Sequence, residues 1–174
     1  MMPLVKKILL STQITLCLLA FGGFAFSQTD SIAKHSVYVN AAGPGGYWSV
    51  NYAYNFQLGN NLFLSPSIGF STLHLKDFSQ SFNPDLIFPV GAHLSYGENH
   101  RAELGVGEIL SSFVRFDSES LGTKRFLEMH SYFLIGYRYH PPLGGLLIRV
   151  FYSPILEFNQ RYRHWGGVSI GYSF

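Results

Sequence analysis

The sequence predicts an all-β fold, an eight-stranded antiparallel up-and-down transmembrane β-barrel, and three observations support this prediction. After residue 28, apolar side chains recur at every second position, which is the periodicity of a β-strand. The positions between them hold mostly Gly, Ser and Asn, which suit a narrow interior better than a water-facing surface. Only 13% of the residues are charged, whereas soluble domains carry about 25%.

The N-terminal segment predicts export from the cytoplasm. Lys6 and Lys7 precede a long uncharged apolar run, and small residues follow at Ala25 and Ser27. This is the order of regions in a secretory signal peptide, so we predict cleavage after Ser27. A retained transmembrane anchor is the alternative, and the small-residue end of the segment favours cleavage over it.

This cleavage divides the chain into three parts: a signal peptide at 1–27, a short N-terminal lead-in at 28–35 and a barrel at 36–174. The only cysteine, Cys17, lies in the signal peptide, so the mature chain forms no disulfide and no thiolate metal site. Leu16 before it argues against a lipoprotein signal. Removing the two lysines leaves 12 − 2 = 10 basic residues against 10 acidic ones. A neutral exported protein argues against a nucleic-acid partner.

The alternating pattern after residue 35 divides into eight predicted strands. No apolar run there reaches the roughly 20 residues of a transmembrane helix, whereas most segments reach the roughly 9–11 residues of a tilted membrane strand. Short turns alternate with longer polar loops such as 115–128, which is typical of outer-membrane barrels. The predicted strands lie at 36–42, 47–57, 62–74, 86–96, 101–113, 129–140, 145–156 and 164–174.

A soluble β-sandwich would show the same period of two, so the polarity of the two faces has to decide. The outer face of a sandwich is polar and carries charge. In this chain the more polar face consists of small residues with few charges, and the aromatic residues cluster near strand ends, where the interfacial girdles of membrane barrels lie. The pattern therefore favours the membrane barrel.

The C-terminal sequence VSIGYSF is the most motif-like part of the chain. Val168, Ile170, Tyr172 and Phe174 alternate with Ser and Gly up to the last residue. This ending resembles the C-terminal strand of the small eight-stranded outer-membrane β-barrel proteins of Gram-negative bacteria. The resemblance implies an outer-membrane location, contact with outer-membrane lipid and recognition of these four residues by the barrel-assembly machinery.

Four charged or titratable residues have the parity of the barrel interior: His93, Glu103, Arg138 and Arg149. They lie at similar distances from the periplasmic turns, so at ~3.3 Å per residue we expect them to share one layer. Glu103 and Arg138 are expected to be cross-strand neighbours. We hypothesise that Glu103 accepts hydrogen bonds from both arginines and that His93 caps this salt-bridged plug. A proton or ion path through the layer is the alternative.

Glu108 has the same parity as the lipid-facing residues Leu104 and Val106. Two interpretations stay open for it. It faces outward near the top of the apolar band, where a charge costs little, or a β-bulge at Gly107 rotates it inward. The histidines are scattered without metal-binding spacing, so no metal site and no cofactor are expected.

The outer rim is where the sequence places a binding role. Arg161, Arg163 and Trp165 are predicted to lie near it and to contact lipopolysaccharide phosphates or another surface ligand. The loop 115–128 adds charges of both signs and aromatic residues. We therefore expect a structural or surface-interaction role without catalysis.

Two other functions are weaker candidates. A narrow route for ions or small solutes through the barrel is the second. A lipid-active enzyme is the third, because one loop holds His74, Asp77 and Ser79. Spacing alone does not show the hydrogen-bond geometry that a nucleophile and its base need, and no GxSxG nucleophile motif is present.

Overall fold

The computed structural model describes residues 32–76, 79–117, 122–156 and 162–174. The predicted signal peptide and its cleavage site, Cys17 and most of the lead-in lie outside the described residues. The described chain forms nine strands: β1 (His35–Ala41), β2 (Trp48–Tyr54), β3 (Phe56–Gly59), β4 (Leu62–Leu73), β5 (Asp85–Tyr96), β6 (His100–Asp117), β7 (Gly122–Tyr139), β8 (Gly145–Leu156) and β9 (Tyr162–Ser173).

These strands close into one antiparallel barrel. From β3 to β9 each strand pairs with the next one in the chain, β1 pairs with β2, and β1 pairs with β9 to close the ring. β2 and β3 both pair with β4, so they are two halves of one wall strand interrupted at Asn55. The barrel therefore has eight walls, and the predicted fold class is confirmed. No helix long and apolar enough to span a membrane occurs in the described ranges.

The barrel has its polar side chains inside and its apolar side chains outside. Along β1, for example, Ser36, Tyr38 and Asn40 are buried, whereas Val37 and Val39 are exposed. An exposed belt of Val, Ile, Leu, Phe and Tyr repeats this pattern on every wall. Such a surface is stable only against lipid, because each exposed apolar side chain in water costs hydrophobic free energy. The protein is therefore a transmembrane barrel.

The two ends of the barrel sequence meet at one rim. Residues His35 and Phe174 exchange both backbone hydrogen bonds, at 2.9 and 2.8 Å, and their rings stack with centroids 5.6 Å apart. The predicted lipid-facing set of β9 points outward, because Val168, Ile170, Tyr172 and Phe174 are all exposed. Phe174 thus closes the last strand against the first at the lower interface, as its parity predicts.

The region 115–128 is largely strand and not the polar loop that the sequence predicts. β6 and β7 stay paired up to Asp117 and Gly122. Cross-strand side-chain contacts explain the extension: the rings of Phe113 and Phe126 stack 6.3 Å apart, and Lys124 donates to Asp117 at 3.1 Å. A segment with charges of both signs therefore folds as a hairpin, because the two aromatic rings meet in register and Lys124 reaches Asp117, its diagonal neighbour on the other strand.

Candidate functional site: the polar plug and the outer rim

The barrel interior contains a row of three arginines. The β-sheet register places Arg101 on β6 opposite Arg138 on β7, and Arg138 opposite Arg149 on β8. All three are at most 1% exposed. Like charges directly opposite each other destabilise a sheet, so a shared counter-ion is needed to hold this row together.

Glu103 is that counter-ion. Its Oε1 accepts hydrogen bonds from Nη2 of Arg138 at 2.6 Å and from Nη2 of Arg149 at 2.8 Å. Its Oε2 accepts from Nε of the same two arginines, at 3.3 and 3.0 Å. Both guanidinium groups are thus bidentate on one carboxylate, which is the strongest geometry for this pair.

The position of Glu103 differs in one detail from the cross-strand pairing that we expected. The register partner of Glu103 is Gly136, and Arg138 is its diagonal neighbour. Gly136 has no side chain, and Phe151 lies within 2.7 Å of where its Cβ would be. The arginines therefore approach Glu103 across a wall position that a larger residue would fill.

His93 completes the layer from β5. Its Nδ1 lies 3.2 Å from Oε1 of Glu103, and its Nε2 lies 3.0 Å from Oγ of Ser67. Nη2 of Arg149 lies 3.3 Å from the same Nδ1, so Nδ1 either donates to the carboxylate or accepts from this guanidinium, and Nε2 bonds to the hydroxyl in both tautomers. The structure thus brings together all four residues of the hypothesised plug. We call His93, Glu103, Arg138 and Arg149 the polar plug.

A chain of hydrogen bonds ties the polar plug to the place where the barrel closes. Nη1 of Arg138 donates to Oγ of Ser65, which donates to Oδ1 of Asn55. Nδ2 of Asn55 donates to Oγ of Ser36, which lies 2.9 Å from Oγ of Ser173 on β9. This chain of hydrogen bonds crosses five walls, from β7 through β4, the β2–β3 wall and β1 to β9. It holds the charged groups of the plug in fixed positions relative to one another.

Arg101 belongs to the same interior, although only its parity in the sequence indicated this. Its guanidinium lies 3.7 Å over the ring of Phe63 and donates through Nε to the carbonyl of Glu98 at 2.7 Å. Its Nη2 is buried with no partner among the described residues. Three buried guanidinium cations thus face one buried carboxylate.

His140 lies just below this layer, in the turn after β7, and carries a pH prediction. Burial, together with the charges of Arg138 and Arg101, lowers the pKa of His140 from 6.5 to about 3. The native barrel therefore keeps His140 neutral, whereas the unfolded chain takes up its proton near pH 6.5. The stability that depends on neutral His140 is fully present above pH 6.5. As the pH falls from 7 to 5, the free energy of unfolding decreases by about 2 kcal/mol.

Urea unfolding of the detergent-folded barrel at pH 7, 6 and 5 measures this loss. The variant His140→Gln serves as the control, because it keeps the other titrating groups and removes only this proton. We expect the variant to lose about 2 kcal/mol less than the unmodified protein between pH 7 and pH 5. Equal slopes for both proteins would show that His140 is not the group responsible.

Glu108 faces outward, and the bulge interpretation is wrong. The register of β6 runs without interruption through Gly107 and Glu108 against both neighbouring strands. Oγ of Ser131, the cross-strand partner on β7, donates to Oε1 of Glu108 at 2.9 Å. This hydrogen bond satisfies one carboxylate oxygen, whereas Oε2 is buried with no partner among the described residues.

The predicted rim residues separate into different environments. Arg163 is exposed near the outer end of β9, and Arg161 lies outside the described residues. Trp165 has interior parity and packs against a cluster that includes Ile109, Tyr132 and Phe151. Its expected surface role is therefore wrong, because its ring covers the top of the barrel core instead.

In the loop considered for lipid chemistry, His74 bonds to a carboxylate outside that loop. Nδ1 of His74 lies 3.0 Å from Oδ2 of Asp85 on β5. Oγ of Ser79 donates to Oγ of Ser81, and Asp77 lies outside the described residues. In the described part of the chain, no group of three or more His, Cys, Asp or Glu side chains is placed to hold a metal.

Two solved structures share this fold. The N-terminal β-barrel domain of Pseudomonas aeruginosa OprF matches with a TM-score of 0.55 at 11% identity, covering 84% of this chain and all of that one. Ail, the attachment invasion locus protein of Yersinia pestis, matches with a TM-score of 0.53 at 12% identity, covering 80% of this chain and 95% of that one. No protein-family model and no curated protein sequence matches the chain. At these identities the likeness shows the fold: the chain is built as the small eight-stranded outer-membrane barrels are.

Proposed function

We propose that this protein is an integral outer-membrane barrel with a closed interior that acts through its outer rim, by binding the phosphate groups of lipopolysaccharide. The observation that supports this most directly is the extended β6–β7 hairpin. Pairing of β5 with β6 ends at Leu86 and Ser112, and pairing of β7 with β8 begins at Ser131 and Leu156. The segments 113–117 and 122–130 therefore extend beyond the pairing that the described residues form with the two neighbouring walls.

The projecting hairpin is braced from the side. Nη2 of Arg125 donates to the carbonyl of Pro84 at 3.1 Å and to the side chain of Asn83. The backbone N–H of Val114 donates to Oδ1 of Asp85 at 3.1 Å. A braced hairpin presents its side chains in a fixed arrangement, which lowers the entropic cost of binding.

One face of this hairpin is suited to a phosphate. Arg115 and Lys124 lie directly opposite each other in the register, and Asp117 neutralises only one of the two charges. Arg115 lies 4.9 Å over the ring of Phe113, which holds its guanidinium in place. The guanidinium group of an arginine binds phosphate oxygens in a bidentate manner. The negative charge of a lipopolysaccharide phosphate between Arg115 and Lys124 would also reduce the repulsion between these two cations.

The packed interior supports a rim function over a channel. The polar plug fills the lower layer of the barrel, and the cluster of Ile109, Tyr132, Phe151 and their neighbours fills the upper layer. An eight-stranded barrel has an interior just wide enough for its side chains. Export by a signal peptide cleaved after Ser27 and assembly by the barrel-assembly machinery belong to the same proposal.

Binding of purified lipopolysaccharide to the folded barrel tests the rim proposal. We expect Arg115→Ala to weaken binding about tenfold, the value of one charged hydrogen-bond pair. Arg163→Ala probes the second predicted cation at the same rim. Lys34→Ala removes the same charge at the opposite end of the barrel and should leave the affinity unchanged. Equal affinities for Arg115→Ala and Lys34→Ala would refute a specific site on the hairpin.

A further inference from the structure

The barrel interior has more positive than negative charge in its described residues. Arg101, Arg138 and Arg149 are buried cations, and Glu103 is the single buried carboxylate among them. Three positive charges against one negative charge leave two uncompensated. Burying a charge without a partner is strongly unfavourable, so this interior favours an additional anion.

A small cavity lies directly above the polar plug. Its lining includes Arg149 and His93 from the plug, and Tyr38, Asn40 and Tyr132 from the surrounding walls. The cavity has room for about one water molecule or one monatomic ion. It is therefore too small for phosphate, sulfate or a carboxylate.

The residues that line this cavity include hydrogen-bond donors for which the described ranges show no acceptor. Nε and Nη2 of Arg149 bond to Glu103, which leaves Nη1 without an acceptor in the described ranges. Oδ1 of Asn40 accepts from Ser169 at 2.7 Å, so the amide nitrogen is the group left to donate. The hydroxyls of Tyr38 and Tyr132, residues only 2–3% exposed, have no hydrogen-bond partner within the described part of the chain.

The number of donors distinguishes an anion from a water molecule. A water accepts two hydrogen bonds and donates two, whereas a halide ion accepts from every donor around it. Four side chains, one of them a guanidinium, offer donors to a space of this size. We propose that the cavity binds a halide ion of the chloride class, coordinated by Arg149, Tyr38, Tyr132 and Asn40, as a second counter-ion of the arginine row.

Halide-dependent stability of the refolded barrel tests this site. The protein is refolded in detergent in sodium chloride, sodium bromide or sodium gluconate at equal ionic strength, and its urea unfolding midpoint is measured at increasing halide concentration. We expect the midpoint to rise with chloride and bromide, because a ligand that binds only the folded state stabilises it. Gluconate is too large for the cavity and should have no such effect.

Two conservative variants separate a bound ion from a general salt effect. Tyr132→Phe removes one donor, keeps the ring and the charge, and should raise the half-saturating chloride concentration about tenfold. Tyr152→Phe alters an exposed tyrosine of the same barrel and should respond to halides as the unmodified protein does. Equal halide responses of the two variants would overturn the proposal.

Diffraction from crystals grown in bromide gives a direct reading. An anomalous peak between Arg149 and Tyr132 would support the halide site, and a water only at that position would overturn it. Asp30, which lies outside the described residues, supplies a further check. If Asp30→Asn abolished the halide response, the second counter-ion would be this carboxylate and the proposal would fail.

Discussion

The variant Gly171→Val is expected to prevent the barrel from closing. Gly171 lies on β9 opposite Tyr38 of β1, at the pairing that joins the last strand to the first. A Cβ at this position would lie 2.3 Å from the carbonyl oxygen of Val37 and 2.4 Å from Cβ of Tyr38. Neither atom moves by rotation of a flexible side chain, so the strands would have to separate. We expect a loss larger than the 1–3 kcal/mol typical of overpacking, or about 4 kcal/mol and more.

The neighbouring Gly166 provides a matched control on the same strand. It has outward parity, and within 4 Å the only described atom that its Cβ would meet is the carbonyl oxygen of Phe151, at 3.6 Å. Gly166→Val should therefore fold normally and add apolar surface towards lipid. Heat-modifiable gel mobility separates closed from open barrels in both variants. A Gly171→Val protein with the mobility and urea midpoint of Gly166→Val would contradict the steric argument.

The period of two predicted most of the fold because it depends on local chemistry alone. In a barrel, successive side chains of a strand alternate between lumen and lipid, so the faces of β1 or β9 follow from one strand at a time. The same rule placed His93, Glu103, Arg138 and Arg149 inside. It also applied to Arg101 and Trp165, which have interior parity and lie inside in the structure. Arg101 was omitted from the plug, and Trp165 was assigned to the surface from its residue type.

The register between strands could not be predicted in the same way. Whether Glu103 lies opposite Gly136 or opposite Arg138 depends on the turn geometry and on packing across several walls. The length of the β6–β7 hairpin depends on side-chain contacts across the two strands, between Phe113 and Phe126 and between Lys124 and Asp117. Composition alone favours a loop for such a charged segment.

The cavity donors show a third kind of limit. Tyr38 and Tyr132 read as apolar ring residues in the sequence, and parity places both inside. Only the packed structure shows that their hydroxyls border the same cavity as Arg149. A site of this kind depends on the arrangement of several walls at one height, and no single strand pattern contains it.

The variant Glu103→Ala is expected to have the second large effect. Removing the carboxylate leaves the guanidinium groups of Arg138 and Arg149 buried without their bidentate partner. Breaking a buried ion pair by removing one partner costs about 3–5 kcal/mol, mostly because the remaining charge stays buried. The urea unfolding midpoint in detergent should fall accordingly. Glu98→Ala removes an exposed carboxylate from the turn before β6 and should change the free energy of unfolding by no more than about 0.5 kcal/mol.

A double variant tests whether the loss comes from the orphaned charge or from the lost packing volume. Arg138→Met in the Glu103→Ala background removes one of the unpaired cations and keeps an apolar side chain of similar length. If the orphaned charge is the cause, the double variant should be more stable than Glu103→Ala alone. The reason is that burying an apolar side chain costs less free energy than burying an unpaired guanidinium. If the lost volume is the cause, the two losses should add. Additive losses would show that Glu103 mainly fills space, whereas recovery of stability would show that the layer is held together by the sharing of one carboxylate between two cations.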